Sequence, residues 1–300
     1  MDTQFLQTFI VVVETGSIAE ASRRLGITPS SVTQRLRALE ADVGNRLIER
    51  AGRTVKPTLA GLRIVERAHT VLRQVADLRS EASDTALPAG PLRLGATPSA
   101  LTGIVPTVLK RWVKQHPHIN IFIEPGTTTT LYAKVLAGDL DAAILVHPRF
   151  ELPKTCVWQT LRDEPLVLVT PAALKGRDPL AIARREPFIQ YDRGVIAGKM
   201  ADEYLRAHGI RPNVRFELDG IESIAKLVAE GLGVSVLPDW PVLGPANTAL
   251  KRWPLPAPCP SREVGAIWLR ASVRSPLARA FADMARETPP CAMTTRAPKR

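Results

Sequence analysis

The residues best suited to chemistry with a nucleic acid lie between Thr28 and Lys56. After Thr28-Pro29, the side chains Ser30, Ser31, Thr33, Gln34, Arg35 and Arg37 are short polar or basic, while Val32, Leu36 and Leu39 recur as an apolar stripe at helical spacing. Hydroxyls, amides and guanidinium groups in that arrangement suit base edges and phosphates: glutamine matches adenine, arginine matches guanine or a phosphate. Arg50, Arg53 and Lys56 cluster around Gly52, where cations would meet phosphates and release counterions. A polar helix face can equally be a solvated one, so the surrounding elements must decide.

A second group offers hydroxyls and charges to a small molecule. Thr97-Pro98-Ser99-Ala100 follows a β-prone run and opens a helical one, a place where free N–H groups favour an anion. Thr97, Ser99 and Ala100 are therefore first candidates for ligand contact. In Gly126-Thr127-Thr128-Thr129-Thr130, Thr127 and Thr128 precede another helix, as ligand groups or simply as a cap and turn. His147 follows a strand and is either a ligand contact or a satisfied loop histidine. Arg193 and Lys199 would pair with a carboxylate and Asp219 with an ammonium, unless each is a solvated charge. Together they point to an amino acid or a small organic acid.

The elements that must position these groups can be read from periodicity and caps. Phe5, Leu6, Phe9, Ile10, Val12 and Val13 predict a first helix ending near Gly16. Ser17 caps a second over Ile18 to Leu25, ended by Gly26. Thr28 caps a third over Pro29 to Val43, ended by Gly44, with proline in its first turn. Leu47 to Thr58 reads as a two-stranded wing around Gly52. From Thr58 to about Thr85 a long helix carries Val65, Ala68, Leu72, Val75 and Ala82 on three- and four-residue steps, interrupted by Arg79, which suits a dimer seam.

Pro88-Ala89-Gly90-Pro91 breaks that helix. Beyond it, strands are predicted over 92–96, 119–124, 142–146, 166–170, 188–191, 214–218, 234–237 and 264–269, with helices at 101–116, 131–137, 199–208 and 221–230. The alternation predicts mainly parallel sheets covered by helices.

Composition bounds the function. The 300 residues exceed one ordinary domain, and 45% are hydrophobic, as in a soluble globular protein. The net charge of +11 suggests a polyanionic partner, yet residues 1–60 hold eight basic against six acidic residues and residues 250–300 hold ten against three. Net charge thus points away from the nucleic-acid segment, and local placement has to carry that reading. Met1-Asp2-Thr3-Gln4 lacks the basic start of a secretion signal, so a cytoplasmic, nucleoid-associated location without membrane contact is expected. Cys156, Cys259 and Cys291 show no metal-ligand spacing. No HExxH, GxSxG, Walker or dinucleotide-binding pattern is present in the sequence, so neither an enzyme nor a cofactor or metal is expected.

One resemblance is specific. Phe5-Leu6-Gln7-Thr8-Phe9, the run Gly16 to Leu25, the run Thr28 to Glu40, Gly44 to Arg50 and Thr58-Leu59-Ala60-Gly61 together resemble the N-terminal signature of LysR-type transcriptional regulators, with Ile48 where a Phe is usual. Pro91 to Gly95, the helix up to His116-Pro117, Leu136 to Ile144 and Leu227 to Val234 resemble that family's effector domain. The resemblance implies an all-α winged helix-turn-helix with a long linker helix, then an α/β two-lobed effector domain similar to periplasmic binding proteins. It implies a winged helix-turn-helix at 1–60, a linker and dimerisation helix at 61–87, and an effector domain at 88–288. Lobe I would be 91–161 plus 265–288 and lobe II 162–264, leaving 289–300 as a disordered tail. The implied function is a DNA-binding transcriptional regulator modulated by a small-molecule effector. Its expected partners are double-stranded DNA, the effector, a second copy in a homodimer or homotetramer, and RNA polymerase. The alternative is an architectural DNA-binding protein without a ligand.

Overall fold

The computed structural model describes residues 1–52, 54–82, 87, 91–240 and 249–287. The chain divides into two compact units, Met1–Thr85 and Ala86–Arg300. Arg53, the break at 88–90, the helix end expected near Thr85, and the expected tail with Cys291 lie outside the described residues.

The first unit runs α1 (Thr3–Thr15), α2 (Ile18–Leu25), α3 (Pro29–Val43), β1 (Ile48–Ala51), β2 (Thr54–Pro57) and α4 (Leu59–Glu81). The caps are where the sequence predicts them. Ser17 Oγ accepts the Glu20 N–H at 3.3 Å and Thr28 Oγ1 accepts the Ser31 N–H at 3.2 Å. Gly16, Gly26 and Gly44 stop their helices in the left-handed region that other residues resist. Phe9, Val12, Val32, Leu39 and Leu47 are fully buried and hold the three helices and the wing to one core.

Two contacts fix the wing on this core. Glu40, near the end of α3, accepts the N–H of Leu47 at 2.8 Å and of Ile48 at 3.2 Å, so its carboxylate orients the entry to β1. The Val55 N–H donates to the Gly16 carbonyl at 3.0 Å, tying β2 to the α1–α2 turn. The expected seam on α4 is partly used within its own unit: Ala68 is 3% exposed in this core, and Val65 and Leu72 pack against it. α1 packs against α4 and supplies part of that cover.

The second unit runs β3 (Leu92–Ala96), α5 (Pro98–Gly103), α6 (Val105–Gln115), β4 (Ile121–Pro125), α7 (Thr128–Leu136), β5 (Ala142–Val146) and β6 (Cys156–Pro171). It continues through α8 (Pro179–Arg185), β7 (Pro187–Tyr191), α9 (Ile196–Ala207), β8 (Asn213–Leu218), α10 (Ile221–Ala229), β9 (Ser235–Pro238) and β10 (Leu250–Pro254). It closes with β11 (Ser261–Leu269) and α11 (Ser275–Glu287). The helix expected over 101–116 is two. Pro106 lacks an N–H and its ring would clash with the carbonyl one turn back, so the chain turns out of helix at Ile104 and restarts with proline in the new first turn.

Pairing corrects the mainly parallel expectation. β3 runs parallel to β4 and β5, and β7 parallel to β8, but β11 is antiparallel to β5 and β6, and β6 is antiparallel to β9 and β10. The reason is β6, which crosses from one lobe to the other. Its first half pairs with β11 from Cys156↔Leu269 to Pro165↔Ser261, and its second half, Leu166 to Val169, pairs with β9. The crossing therefore falls near Pro165 and Ser261. Lobe I is built around buried Trp112, Trp268 and Phe281, lobe II around Phe188, Tyr204 and Leu205 on one face and Ile189, Ile224 and Trp240 on the other.

Candidate functional site

In the first unit, α3 presents one face to solvent because its stripe of Val32, Leu36 and Leu39 is buried. Thr28, Ser30, Gln34 and Arg37 are exposed on it, and Ser31 and Thr33 are half-buried at its flanks. Thr28 Oγ1 lies 2.9 Å from Ser30 Oγ and 2.8 Å from Ser31 Oγ, and Thr33 Oγ1 donates to the Pro29 carbonyl at 3.0 Å. The hydroxyls thus help hold the helix start while remaining near its surface. The side chains of Gln34 and Arg37 make no hydrogen bond or ion pair among the described residues, nor do those of exposed Arg50 and Lys56 in the wing. Exposed Arg46, between α3 and β1, belongs with them and went unnoticed in the sequence because it sits in a loop without periodicity.

Arg35 is placed differently from its neighbours. It sits about a third of a turn from the exposed face, and its Nη2 donates to Gln4 Oε1 at 2.9 Å, with Nη1 3.5 Å from Thr8 Oγ1. Its guanidinium ties α3 to α1.

In the second unit, a cavity of about 650 Å³ lies between the lobes. That is a volume suited to a small ligand. Thr97, Ser99, Thr127, Thr128 and Asp219 line it, brought together from the starts of α5, α7 and α10. Thr127 is the α7 N-cap and forms a capping box with Thr130, so its hydroxyl serves the helix first. Thr97 caps nothing: its Oγ1 is buried without a hydrogen-bond partner. From lobe II, α9 and α10 point their N-termini at the cavity with no side-chain cap on either, leaving N–H groups available to an anion.

Four sequence candidates fall elsewhere. Ala100 is 1% exposed in the lobe I core, because the third residue of α5 turns inward. His147 lines a neighbouring pocket of about 390 Å³ and stacks edge-on against Trp158. Lys199 lines a third, of about 220 Å³, beside Tyr132 and Phe150. Arg193 is exposed and paired with Glu217 at 3.0 Å, which holds its guanidinium above the usual range through a hydrogen bond and the carboxylate charge.

The cavity also holds residues the sequence did not single out: Tyr191 at the end of β7, Ser223 on α10, and Arg262 at the start of β11. Arg262 Nε donates to Glu164 Oε2 at 2.7 Å, and its Nη2 lies 2.6 Å from the same oxygen without hydrogen-bond geometry. Their side chains are 2% and 5% exposed. Burial pushes the Glu164 carboxyl up, and the charges of Arg262 and then Arg162 oppose it. Burial likewise raises the Tyr191 phenol, again opposed by Arg262.

An exposed polar helix braced beside a wing, followed by a two-lobed α/β unit with an interlobe cavity, defines a helix-turn-helix protein carrying a ligand-binding module. Residues 3–62 match the family model described as "Bacterial regulatory helix-turn-helix protein, lysR family", and residues 85–290 match the "LysR substrate binding domain". The chain belongs to the LysR family of DNA-binding transcriptional regulators. It is 27% identical over 288 residues to the uncharacterized HTH-type transcriptional regulator YusT of Bacillus subtilis, covering 94% of this chain and 95% of the relative. It is 29% identical to the HTH-type transcriptional activator IlvY of Salmonella typhimurium, covering 80% and 83%. These relatives are transcriptional regulators, not enzymes. Among solved structures, a Corynebacterium glutamicum OxyR C206 mutant matches with a TM-score of 0.66 at 25% identity, covering 95% of this chain and 91% of that one. A full-length CbnR complexed with its target DNA, at 20% identity and the same TM-score over 95% and 99%, shares the fold. No helix among the described residues is long and apolar enough to cross a membrane.

Proposed function

We propose that this protein is an effector-responsive transcriptional regulator whose α3 and wing bind double-stranded DNA, and whose interlobe cavity binds an amino acid or small organic acid. One observation carries the effector reading. A 650 Å³ cavity receives hydroxyls from lobe I and two helix N-termini without side-chain caps from lobe II. An architectural DNA binder has no use for such a cavity. The DNA reading rests on Gln34, Arg37, Arg50 and Lys56, which are exposed and carry no partner that would compete with a phosphate or a base.

The protein works as a homodimer or homotetramer in this reading, because two half-sites need two reading helices. Effector binding biases the lobes between arrangements and so changes how the paired helices sit on DNA. A cytoplasmic place on the nucleoid and contact with RNA polymerase follow from the same reading. The test is titration of full-length protein onto an upstream DNA fragment with and without each member of a panel of amino acids and organic acids. A compound that shifts the binding curve of the wild type and leaves Ser99→Val unshifted supports the proposal; DNA binding that no compound alters contradicts it.

A further inference from the structure

The crossing strands beside the cavity, which Arg262 lines, carry an unbalanced charge. Arg162 and Arg262 both act on the single carboxylate of Glu164, and all three sit where β6 and β11 pass between the lobes. Asp239, the next acidic group acting on Glu164, is already paired with Arg252. Two guanidinium groups against one buried carboxylate leave a surplus positive charge in a poorly solvated place, a costly arrangement unless an anion completes it.

The hydrogen-bond inventory points the same way. Arg262 is 3% exposed and lines the cavity, and its Nη2, though 2.6 Å from Glu164 Oε2, meets no acceptor with hydrogen-bond geometry among the described residues. Thr97, 6% exposed and lining the same cavity, leaves its Oγ1 unpartnered. Tyr191, 7% exposed, brings a phenol beside Arg262. Buried donors without acceptors are rare in folded proteins and ask for an explanation. Asp219 and Glu222 line the cavity too; both are exposed, so solvent screens their charge, and Asp219 acts on the Tyr191 phenol without pairing with Arg262.

We infer that Arg262 is the counter-ion for a carboxylate of the effector, which sits at the inner end of the cavity with the Thr97 and Tyr191 hydroxyls as its further donors. The inference rests on the reading of this cavity as the effector site. The carboxylate and Glu164 then share one guanidinium, so the effector acts directly on the pair that joins the two crossing strands.

The experiment is calorimetric titration of the full chain with L-alanine, L-glutamate, pyruvate, succinate and benzoate, each against its neutral amide. It is repeated on Ser99→Val and on the double variant Glu164→Leu/Arg262→Met, which removes the buried pair without changing the net charge at the crossing, Arg162 remaining; urea unfolding checks that the double variant folds. The expected result is that wild type binds at least one acid in preference to its amide, and that the double variant loses roughly tenfold to a hundredfold in affinity for it, the worth of a hydrogen bond to a charged group. A folded double variant that binds the acid as wild type does, while Ser99→Val binds it weakly, overturns the role of Arg262 and leaves the cavity reading standing. Unchanged binding in both variants overturns the cavity reading as well. Equal binding of acid and amide, or no binding of any acid, overturns the carboxylate assignment.

Discussion

Arg262 on β11 and Glu164 on β6 face each other as register partners and are joined by a 2.7 Å hydrogen bond from Nε to Oε2, both side chains almost wholly buried at the crossing between the lobes. A pair of this kind adds little to stability in itself, because desolvation of both ions offsets their attraction. Removing one member is another matter. Arg262→Met leaves the buried Glu164 carboxylate with Arg162 alone as compensation and should cost about 1–3 kcal/mol, whereas Glu164→Leu/Arg262→Met should recover only part of it, because Arg162 then loses its carboxylate. Urea unfolding of the two variants checks this; equal losses in single and double variants would contradict it.

Glu263 predicts a pH dependence. Its carboxylate accepts hydrogen bonds from Thr160 Oγ1 and from Trp158 Nε1 at 2.6 Å, and these, with the nearby His147, hold its pKa below the ordinary glutamate value. A lowered folded pKa means that the ionised form stabilises the fold. That contribution is present above the unfolded glutamate value near about 4.3 and is lost as pH falls through the lower folded value. Thermal unfolding from neutral pH down to about pH 3 should show wild type losing more of its stability than Glu263→Gln across the acid end. Parallel pH profiles would be the wrong outcome.

The packing of α4 against the wing predicts an intolerant glycine. A Cβ on Gly61 would overlap the Leu47 carbonyl oxygen and lie 3.2 Å from the Pro57 Cβ. The Leu47 carbonyl already accepts the Thr58 N–H at 2.9 Å, so it cannot move freely. Gly61→Ala should destabilise the first unit by about 1–3 kcal/mol, as overpacking does, and weaken DNA binding through the displaced wing. Chemical unfolding and gel-shift titration measure the two effects, and wild-type behaviour in both would mean the close approach is not maintained.

Two arginines two residues apart should behave differently. Arg37 is exposed and unpaired, so Arg37→Ala should leave thermal stability unchanged while weakening DNA binding and lowering the slope of log affinity against log salt by about one. Arg35 is bonded to Gln4, so Arg35→Ala should cost about 0.5–1.5 kcal/mol of stability. Melting curves and salt-dependent anisotropy separate the cases; identical phenotypes would place both side chains in one role.

Much of this architecture is legible in the sequence because local signals act alone there. Ser17, Thr28, Gly16, Gly26 and Gly44 set helix ends through their own side chains or backbone freedom, and α2 and α3 begin and end where those residues predict. β6 was half hidden. Its stretch Cys156 to Pro165 mixes polar and apolar residues because the strand passes between two sheets, so no single face is buried along it. Arg262 stayed invisible for the same reason. A charged residue opening a strand reads as a surface residue until its partner, 98 positions away, is known. His147 reads as a cavity residue from its position after a strand and Lys199 from its charge, but which of three adjoining pockets a side chain faces is decided by tertiary packing.

The central claim, that this chain reads DNA under the control of a small molecule, is met most directly by genome-wide capture of the DNA bound by the protein, with and without a panel of amino acids and organic acids. The account predicts discrete pseudo-palindromic sites upstream of genes, with occupancy or extent shifted by one compound. Diffuse binding that no compound alters would contradict it.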